Sequence, residues 1–383
     1  MWKRRMLMAH AANIVCYRCY CAMHRRTVLI TGARAPVALE LARSFDNGGA
    51  NVIVADTHGA ALARWSRSVR RFVRIPSPVH AFDAFASTLD RIVQEHGVDD
   101  VIPTCEETFY VSMLRDSLPC RTWVMDIDTL RAVHDKWTFS QHPVFNAHVP
   151  ETVRLTDFHD WDATVNYVFK PRFSRFAARA VIGRHVRSAD FANSEDWIAQ
   201  RRIIGREVCV YSVWRHGTMT AIAIYHPRYR AGQGAGIYLE AVHDDRITSM
   251  VRDAGQRMGF HGQLSLDVII DATTEQPYVI ECNPRATSGA HLLGDALADA
   301  FTSDVFVQPP VDAEYAIWYA MALYHPAAML KRRNRRACDV VFRRADALPA
   351  LMQGLGALHF AASAWRNKCS ILEATTRDIE WNG

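Results

Sequence analysis

The sequence predicts a mixed α/β protein, with a parallel-sheet first domain followed by two units that combine helices with antiparallel strands. Three observations carry this. Short, mostly apolar runs alternate with helical stretches over residues 27–124, as in strand–helix–strand units whose sheet is covered on both faces. Two apolar runs, 207–214 and 218–225, flank His216-Gly217 and read as an antiparallel hairpin. A second pair of runs, 263–270 and 277–280, is joined by a short turn and carries acids at its ends.

Taken in order, TVLIT (27–31) is the first strand, followed by GARAP and a helix over 37–45. NVIVA (51–55) is the second strand and leads into Asp56. A short strand at 71–73, a helix over 81–96, a strand at 101–103 entering the TCEE turn, and a strand at 122–124 complete the domain. One amphipathic helix is expected over 128–141, then a turn at 150–152, a strand at 167–170 and the end of a helix at 195–199. The 207–225 hairpin follows, with a helix over 244–257 and the acid-bearing strand pair. Beyond residue 311, the pattern gives a helix at 315–324, a basic loop at 331–336 and a small, apolar stretch at 347–365. This part is expected to pack on the third unit and to add no chemistry.

Composition narrows the function. At 383 residues, 49% apolar and 22% charged, the chain can bury a large core shared by two or three units. A net charge of +5 suits an anionic substrate as well as a plain surface. No helix-turn-helix, zinc-finger or RNP signature is present, so nucleic acid is not an expected partner. Residues 1–26 read as an extension: their apolar stretch, 6–15, is interrupted by His10 and Asn13 and closely followed by Arg18, which argues against export. Cys16, Cys19 and Cys21, near His24, lack a second ligand cluster for zinc. The other six of the nine cysteines are scattered, as in a reducing, cytoplasmic protein. No run reaches the 18 apolar residues of a membrane span. Dinucleotide binding fails on the first turn, where the single Gly32 is followed by Ala33, Arg34, Ala35 and Pro36.

The strongest local feature is DVIIDATTEQPYVIECNPRATSG. Asp267 lies on one strand, and Glu281 and Asn283, two apart, project to one side of the other. Three hard oxygen ligands suit Mg²⁺, and Arg285 can present a planar donor fork to a phosphoryl or carboxylate oxygen. Acids at a solvent-facing strand end, paired with Arg285, are the competing reading; Asn283 favours the metal, because it adds nothing to a charge network. Lys170 ends the strand YVFK before Pro171, and Lys136 belongs to a helix that buries Leu130, Val133, Trp137 and Phe139; either alone also fits a surface lysine. In QRRIIGREVCVYSV, Gln200 can face a base edge, Ile203 can offer backbone groups to a purine, and Glu207 can accept from ribose hydroxyls. Gly205 supplies the turn between them.

DKWTF (135–139), YVFKP (167–171), QRRIIGREV (200–208), LDVII (266–270) and ECNPR (281–285), in this order, resemble the ATP-grasp superfamily, in particular its carboxylate–amine ligase and carbamoyl-phosphate-synthase-like members. The resemblance covers about residues 27–305 and implies a Rossmann-like N-terminal (pre-ATP-grasp) parallel-sheet domain at 27–127. A linker helix and small subdomain follow at 128–212, and a catalytic subdomain at 213–310, the two α+β subdomains enclosing the nucleotide. Residues 311–383 form an extension packed on the catalytic subdomain. Carried over by position, Lys136 and Lys170 would hold the ATP phosphates, Gln200 would stand where an acid reads the adenine amino group, Arg201 would lie near the base, Ile203 would give the backbone contact and Glu207 would bind ribose. Asp267, Glu281 and Asn283 would be Mg²⁺ (or Mn²⁺) ligands, and Arg285, with Lys170, would act on the transferred group. Two departures stand out. The segment after Lys170, PRFSRFAARA, has Ser174 but no glycine, with Arg172, Arg175 and Arg179 where a glycine-rich loop is usual. Ser265 stands where some peptide-forming members carry an arginine.

The implied reaction is ADP-forming joining of a carboxylic acid to an amine through an acyl phosphate, with an amino acid as one substrate. A small-molecule kinase, a ligase using a non-amine nucleophile and a non-catalytic nucleotide-binding module are the alternatives. For the substrates, Glu106 or Glu107 of the TCEET turn could engage an ammonium, Arg34 a carboxylate, and Ser288 and Gly289 the acceptor side; turn and cap roles compete for each. The partners are small molecules, not nucleic acid or membrane, with a homodimer admitted as an assembly.

Overall fold

The structure is a computed structural model that describes residues 25–174, 180–232 and 234–383. The leader with Cys16, Cys19, Cys21 and His24, and Arg175 and Arg179 of the segment after Lys170, lie outside the described residues.

The first sheet holds β1 (Thr27–Thr31), β2 (Asn51–Asp56), β3 (Arg71–Arg74), β4 (Asp100–Ile102) and β5 (Arg121–Thr122), all parallel, in the order β3-β2-β1-β4-β5. Its helices are α1 (Pro36–Asn47), α2 (Phe82–His96) and α3 (Glu107–Leu114). Proline at the first position opens α1, where its missing N–H costs nothing, and Gly97 in the left-handed region closes α2. Gly32 is also left-handed (φ +70°), and a Cβ there would meet Thr104 Oγ1 at 2.5 Å, so the first turn needs glycine for its own packing.

The expected single helix over 128–141 is two helices, α4 (Ile127–His134) and α5 (Lys136–Gln141), which meet at Asp135. Asp135 leaves helical geometry (ψ 115°), and its carboxylate accepts from Trp137 N and pairs with Arg172. A side chain that caps a new helix ends the old one, and the break sets Lys136 at the first turn of α5, buried.

A four-stranded antiparallel sheet, in the order β6-β9-β7-β8, comprises β6 (Thr152–Arg154), β7 (Tyr167–Pro171), β8 (Val181–Ile182) and β9 (Trp197–Arg201). Residues 195–199, expected as the end of a helix, instead begin in a short 3₁₀ turn and run into β9. That strand is central, paired on both sides, with Ala199 packed among Phe169, Phe158 and Phe191, so tertiary pairing overrides local propensity.

The largest sheet has seven strands in the order β14-β13-β10-β11-β12-β15-β16. The expected hairpins are β10 (Gly205–Arg215) with β11 (Thr218–Arg230), and β13 (Gly262–Asp271) with β14 (Pro277–Asn283); α6 (Asp245–Arg257) precedes the second pair. β12 (Gly236–Val242) was not anticipated, and 315–324 divides into strand β15 (Glu314–Ala316), paired with β12, and a helix from Trp318. Gly205 is less a turn residue than a point of close approach: a Cβ there would lie 1.9 Å from the Ile270 carbonyl oxygen. Val28, Ile30 and Val54 of the first sheet share one core with Tyr211, Val213 and Ala223 of the large sheet, through Leu292 and Leu297. Each such buried large aliphatic contributes about 1.5–3 kcal/mol, so this common core holds the two sheets in fixed relation.

After α7 (Asp299–Thr302) and α8 (Trp318–Tyr324) come α9 (Pro326–Met329), β16 (Cys338–Asp339), α10 (Leu348–Asn367) and α11 (Ile371–Ala374). The expectation for this region needs correcting. β15 and β16 extend the large sheet, but the polypeptide then returns to the first domain. Arg43 of α1 donates to Asp346 (2.8 Å) and to the Val341 carbonyl (2.8 Å), Tyr110 to the Glu380 carbonyl (2.9 Å), and Trp381 stacks on Phe109. Among the described residues, no helix is long and apolar enough to cross a membrane, and Cys105, Cys120, Cys209, Cys282, Cys338 and Cys369 are free thiols.

Candidate active site

Six of the expected side chains converge where β7, α5 and the β13–β14 pair meet. β13 and β14 place Asp267 opposite Glu281 and Ser265 opposite Asn283. The register slips just beyond Asp267, so that Val268 faces Val279 and Ile280 is left as the extra residue of a bulge. A bulge frees backbone groups from the ladder, and the Ile280 carbonyl accepts from Lys170 Nζ at 2.8 Å. The same ammonium donates to Gln200 Oε1 (2.9 Å), while Gln200 Nε2 donates to Thr152 Oγ1 (2.9 Å). Lys136 Nζ lies 3.6 Å from Glu281 Oε1 and donates to the Ser174 carbonyl (3.3 Å). Arg285 donates to Asn283 Oδ1 (3.2 Å) and to the Ala286 carbonyl, and Ser265 Oγ donates to the Arg285 carbonyl.

The charges are held away from water. Lys136 and Lys170 are both buried. Burial brings the Lys170 ammonium down to about 8, against the opposing pull of Glu281, so it still carries its proton through neutral pH. Burial also pushes up the Asp267 carboxyl, and Glu281 alongside pushes it further. Burial opposes ionisation of Glu281 as well, but Lys136, Lys170, His134 and Arg285 outweigh it and hold that carboxyl below its ordinary value. Two buried ammonium groups share one well-ionised carboxylate, a surplus that fits an anion such as a polyphosphate. Two adjacent carboxylates and an amide oxygen fit a divalent cation of the Mg²⁺ kind, which takes one or two protein carboxylates and completes its shell from phosphate and water. Among the described residues, no group of three or more His, Cys, Asp or Glu side chains could hold a metal by itself.

Other expected residues are placed differently. Gln200 was expected at a base edge, but both ends of its buried amide are taken by Lys170 and Thr152. Arg201 is exposed and 4.0 Å from Glu151, and Ile203 lies in the connection between β9 and β10. Glu207, on β10, pairs with Arg230. Arg34 is not free to receive a substrate carboxylate: its fork is filled by Asp56 Oδ1 (2.7 Å) and by Asp378 Oδ1 and Oδ2 (2.7 and 2.6 Å). Glu107 is buried and accepts from Thr31 Oγ1 (2.8 Å) and from Thr104 N (3.0 Å), which makes it a brace of the TCEET turn rather than an ammonium site. Glu106 accepts from the Trp381 backbone N–H at 2.9 Å. Ser288 donates weakly to the Gly236 carbonyl (3.4 Å). Gly289 is a packing glycine, since a Cβ there would meet Tyr211 Cβ at 2.6 Å.

Sequence reading missed His134 and Arg230. His134 is buried, burial lowers its imidazole to about 4, and its Nδ1 has no hydrogen-bond partner, although it lies within electrostatic reach of Glu106, Lys136 and Glu281. Its signal was available, because it directly precedes the Asp135 cap. Arg230 ends β11 beside a glycine-rich stretch, AGQGAG (231–236), and that stretch was its signal in the sequence. A cavity of about 720 Å³ opens beside Ser174, lined by Phe173, Asp196, Trp197, Glu380 and Asn382. A larger one, about 980 Å³, is lined by Arg332, Arg333, Arg336 and Cys338, which belong to the C-terminal region and not to the lysine–acid cluster.

Residues 133–289 match the family model of the ATP-grasp domain. This segment is an ATP-grasp domain. It takes in both lysines, Asp267, Glu281, Asn283 and Arg285. Among solved structures, the chain is similar to N5-carboxyaminoimidazole synthetase from Staphylococcus aureus (16% identity, 76% of this chain and 80% of that one, TM-score 0.57). It is also similar to L-amino acid ligase from Bacillus licheniformis (15%, 72% and 69%, TM-score 0.52). A third is the biotin carboxylase domain of Hydrogenobacter thermophilus 2-oxoglutarate carboxylase (14%, 70% and 65%, TM-score 0.54). At such identities the likeness shows the fold, an ATP-grasp architecture behind a parallel-sheet domain. No curated protein matches the chain.

Proposed function

We propose that this chain is an ADP-forming carboxylate–amine ligase. The carrying observation is the convergence of Lys136 and Lys170 on the Glu281 carboxylate, with Asp267 and Asn283 beside it. Lys136 and Lys170 bind the phosphates of ATP, and the Ile280 carbonyl and Gln200 hold the Lys170 ammonium in place. Asp267, Glu281 and the Asn283 amide oxygen would hold Mg²⁺, or Mn²⁺, which screens phosphate charge when bound. The substrate carboxylate attacks the γ-phosphorus, giving ADP and an acyl phosphate; the amine then adds to the acyl carbon, loses a proton, and phosphate leaves. Arg285 steadies the negative oxygens. Alignment and charge neutralisation suffice, without a side-chain nucleophile. Support comes from the fold neighbours: one is named an L-amino acid ligase, and another was solved with MgADP and bicarbonate. We take an amino acid as one substrate and the reducing cytoplasm as the setting, the latter from the free thiols.

Two measurements test this reading. Sustained ADP release is expected when an acid and an amine are both supplied, or when hydroxylamine takes the amine's place and traps the acyl phosphate. AMP and pyrophosphate as products would overturn the scheme, and a stable phosphorylated alcohol would make the protein a kinase. Mg-ATP at a hundred times its dissociation constant should add about 2.7 kcal/mol of apparent stability. NAD(P) should add none, because the first turn lacks the glycines that admit a pyrophosphate; the opposite pattern in a thermal-shift assay would defeat the assignment.

A further inference from the structure

Helix α10 (Leu348–Asn367) is twenty residues long, yet only Pro349 and Ala364 on it are fully buried. Its inner face lies on the Leu62–Trp65 turn and α11, with His359 against His58. Its outer face carries Leu348, Leu351, Leu355, Leu358, Ala362 and Trp365, all exposed, with Leu351 at 76%, Leu358 at 69% and Trp365 at 83%. The only Lys, Arg, Asp or Glu in the helix is Arg366. A helix that leaves its outer face in water carries charge there; this one presents an apolar stripe.

The stripe has the spacing of a helix–helix seam. Its steps are 3, 4, 3, 4 and 3 residues, the a/d pattern of two helices packed side by side. The same steps read identically from either end, so the stripe is complementary to a copy of itself turned end for end. In that pairing Leu355 meets Leu358 near a two-fold axis, Leu351 covers the small Ala362, and Trp365 lies over Leu348. Gly354, where a Cβ would meet nothing within 4 Å, and Ala357 flank the seam and leave room for close approach. The stripe runs about 26 Å along the helix. With large side chains presenting ~150–250 Å² each, the exposed fractions of the stripe come to roughly 500–800 Å², reaching towards the ~800 Å² per partner of a stable interface. An apolar patch of that size is rarely left to solvent.

We infer that α10 is a dimerisation surface, paired antiparallel with α10 of a second copy of this chain across a two-fold axis. The area approaches what a two-fold interface between copies needs, and the lack of a Lys- and Arg-rich polar face on α10 argues against a lipid surface.

Sedimentation velocity of the full chain at micromolar concentration should give twice the chain mass. Leu355→Glu with Leu358→Glu, which buries four carboxylates at the axis, should give the chain mass with an unchanged circular dichroism spectrum, raising the dissociation constant by about 100-fold or more. A second measurement does not depend on that variant folding. Chains carrying Leu348→Cys mixed with chains carrying Trp365→Cys should form disulfides between unlike chains, beyond any formed by the parent, while neither variant alone should do so. The inference is overturned if the full chain sediments as a monomer, if the folded double variant remains a dimer, or if the cysteine variants link like to like. A monomer that binds neutral lipid vesicles through this face would equally overturn it.

Discussion

Glu281→Gln is expected to leave the protein folded while lowering ADP production by about 10²–10³-fold, the usual loss when one preorganised electrostatic group is removed. Glu281 stands between two cations and a second carboxylate: Lys136 Nζ is 3.6 Å away, and Asp267 is its partner in the strand register. Neutralising it removes attractions to Lys136, Lys170 and Arg285 as well as a repulsion from Asp267, and glutamine keeps the shape, so the protein should fold with a somewhat lowered thermal midpoint. The effect on chemistry should be much larger. On the proposed reading, a bound divalent cation would then be held by Asp267 as its only carboxylate, and less of the phosphate charge would be screened. Asn283→Asp should produce a different lesion: it retains an oxygen ligand but adds charge beside the phosphates, so ATP binding weakens and metal preference changes. If Glu281 were only part of a surface ion pair, Glu281→Gln would cost about 1 kcal/mol or less in stability and leave turnover nearly intact. Measuring ADP production and thermal midpoint on the same samples separates the two. Near-normal turnover would remove the metal assignment and most of the argument for ligation.

The parts of this site legible in the sequence are those whose geometry is local. Glu281 and Asn283 share a side because strands alternate, and Asp267 faces them because a short turn joins the two strands. The first sheet was legible for a similar reason: the centres of TVLIT and NVIVA are buried on both faces, so Val28–Ile30 and Val52–Ala55 are continuous apolar runs. Four features were hidden, three of them at the site. The apolar spacing of α4 and α5 runs on across Asp135, so the break shows only in the partners of that carboxylate, one of them 37 residues away. β9 takes its strand form from β6 and β7 on either side, and its Gln200 is buried because Lys170 and Thr152 satisfy it. The bulge that offers the Ile280 carbonyl to Lys170 depends on a register that no single-strand pattern specifies.

The remaining hidden feature is the docking of the C-terminal residues, and it makes the second large prediction. Arg34→Ala should lower stability by about 3–5 kcal/mol, the usual cost of removing one partner from a buried ion pair. Arg34 holds the fully buried Asp56 and the half-buried Asp378 at once, and it also donates to the Thr375 carbonyl (2.9 Å) and Thr57 Oγ1 (2.7 Å). Its removal leaves two carboxylates facing each other with their common cation gone. Burial would raise the Asp378 carboxyl, but hydrogen bonds from Arg34 and His58 hold it well below the usual carboxylate range. A carboxyl depressed in the folded state stabilises it fully above the unfolded value, about 4, and loses that contribution only as pH falls towards the folded one. The clamp therefore persists through mildly acid conditions in the parent. Asp378→Asn should reproduce part of the loss while keeping Asp56 paired. A substrate-binding Arg34 predicts something else: the variant would be as stable as the parent, with a raised KM for the carboxylic acid. Chemical denaturation of both variants at pH 7 decides between them, and an Arg34→Ala protein that unfolds at the parent's midpoint would return Arg34 to the substrate site.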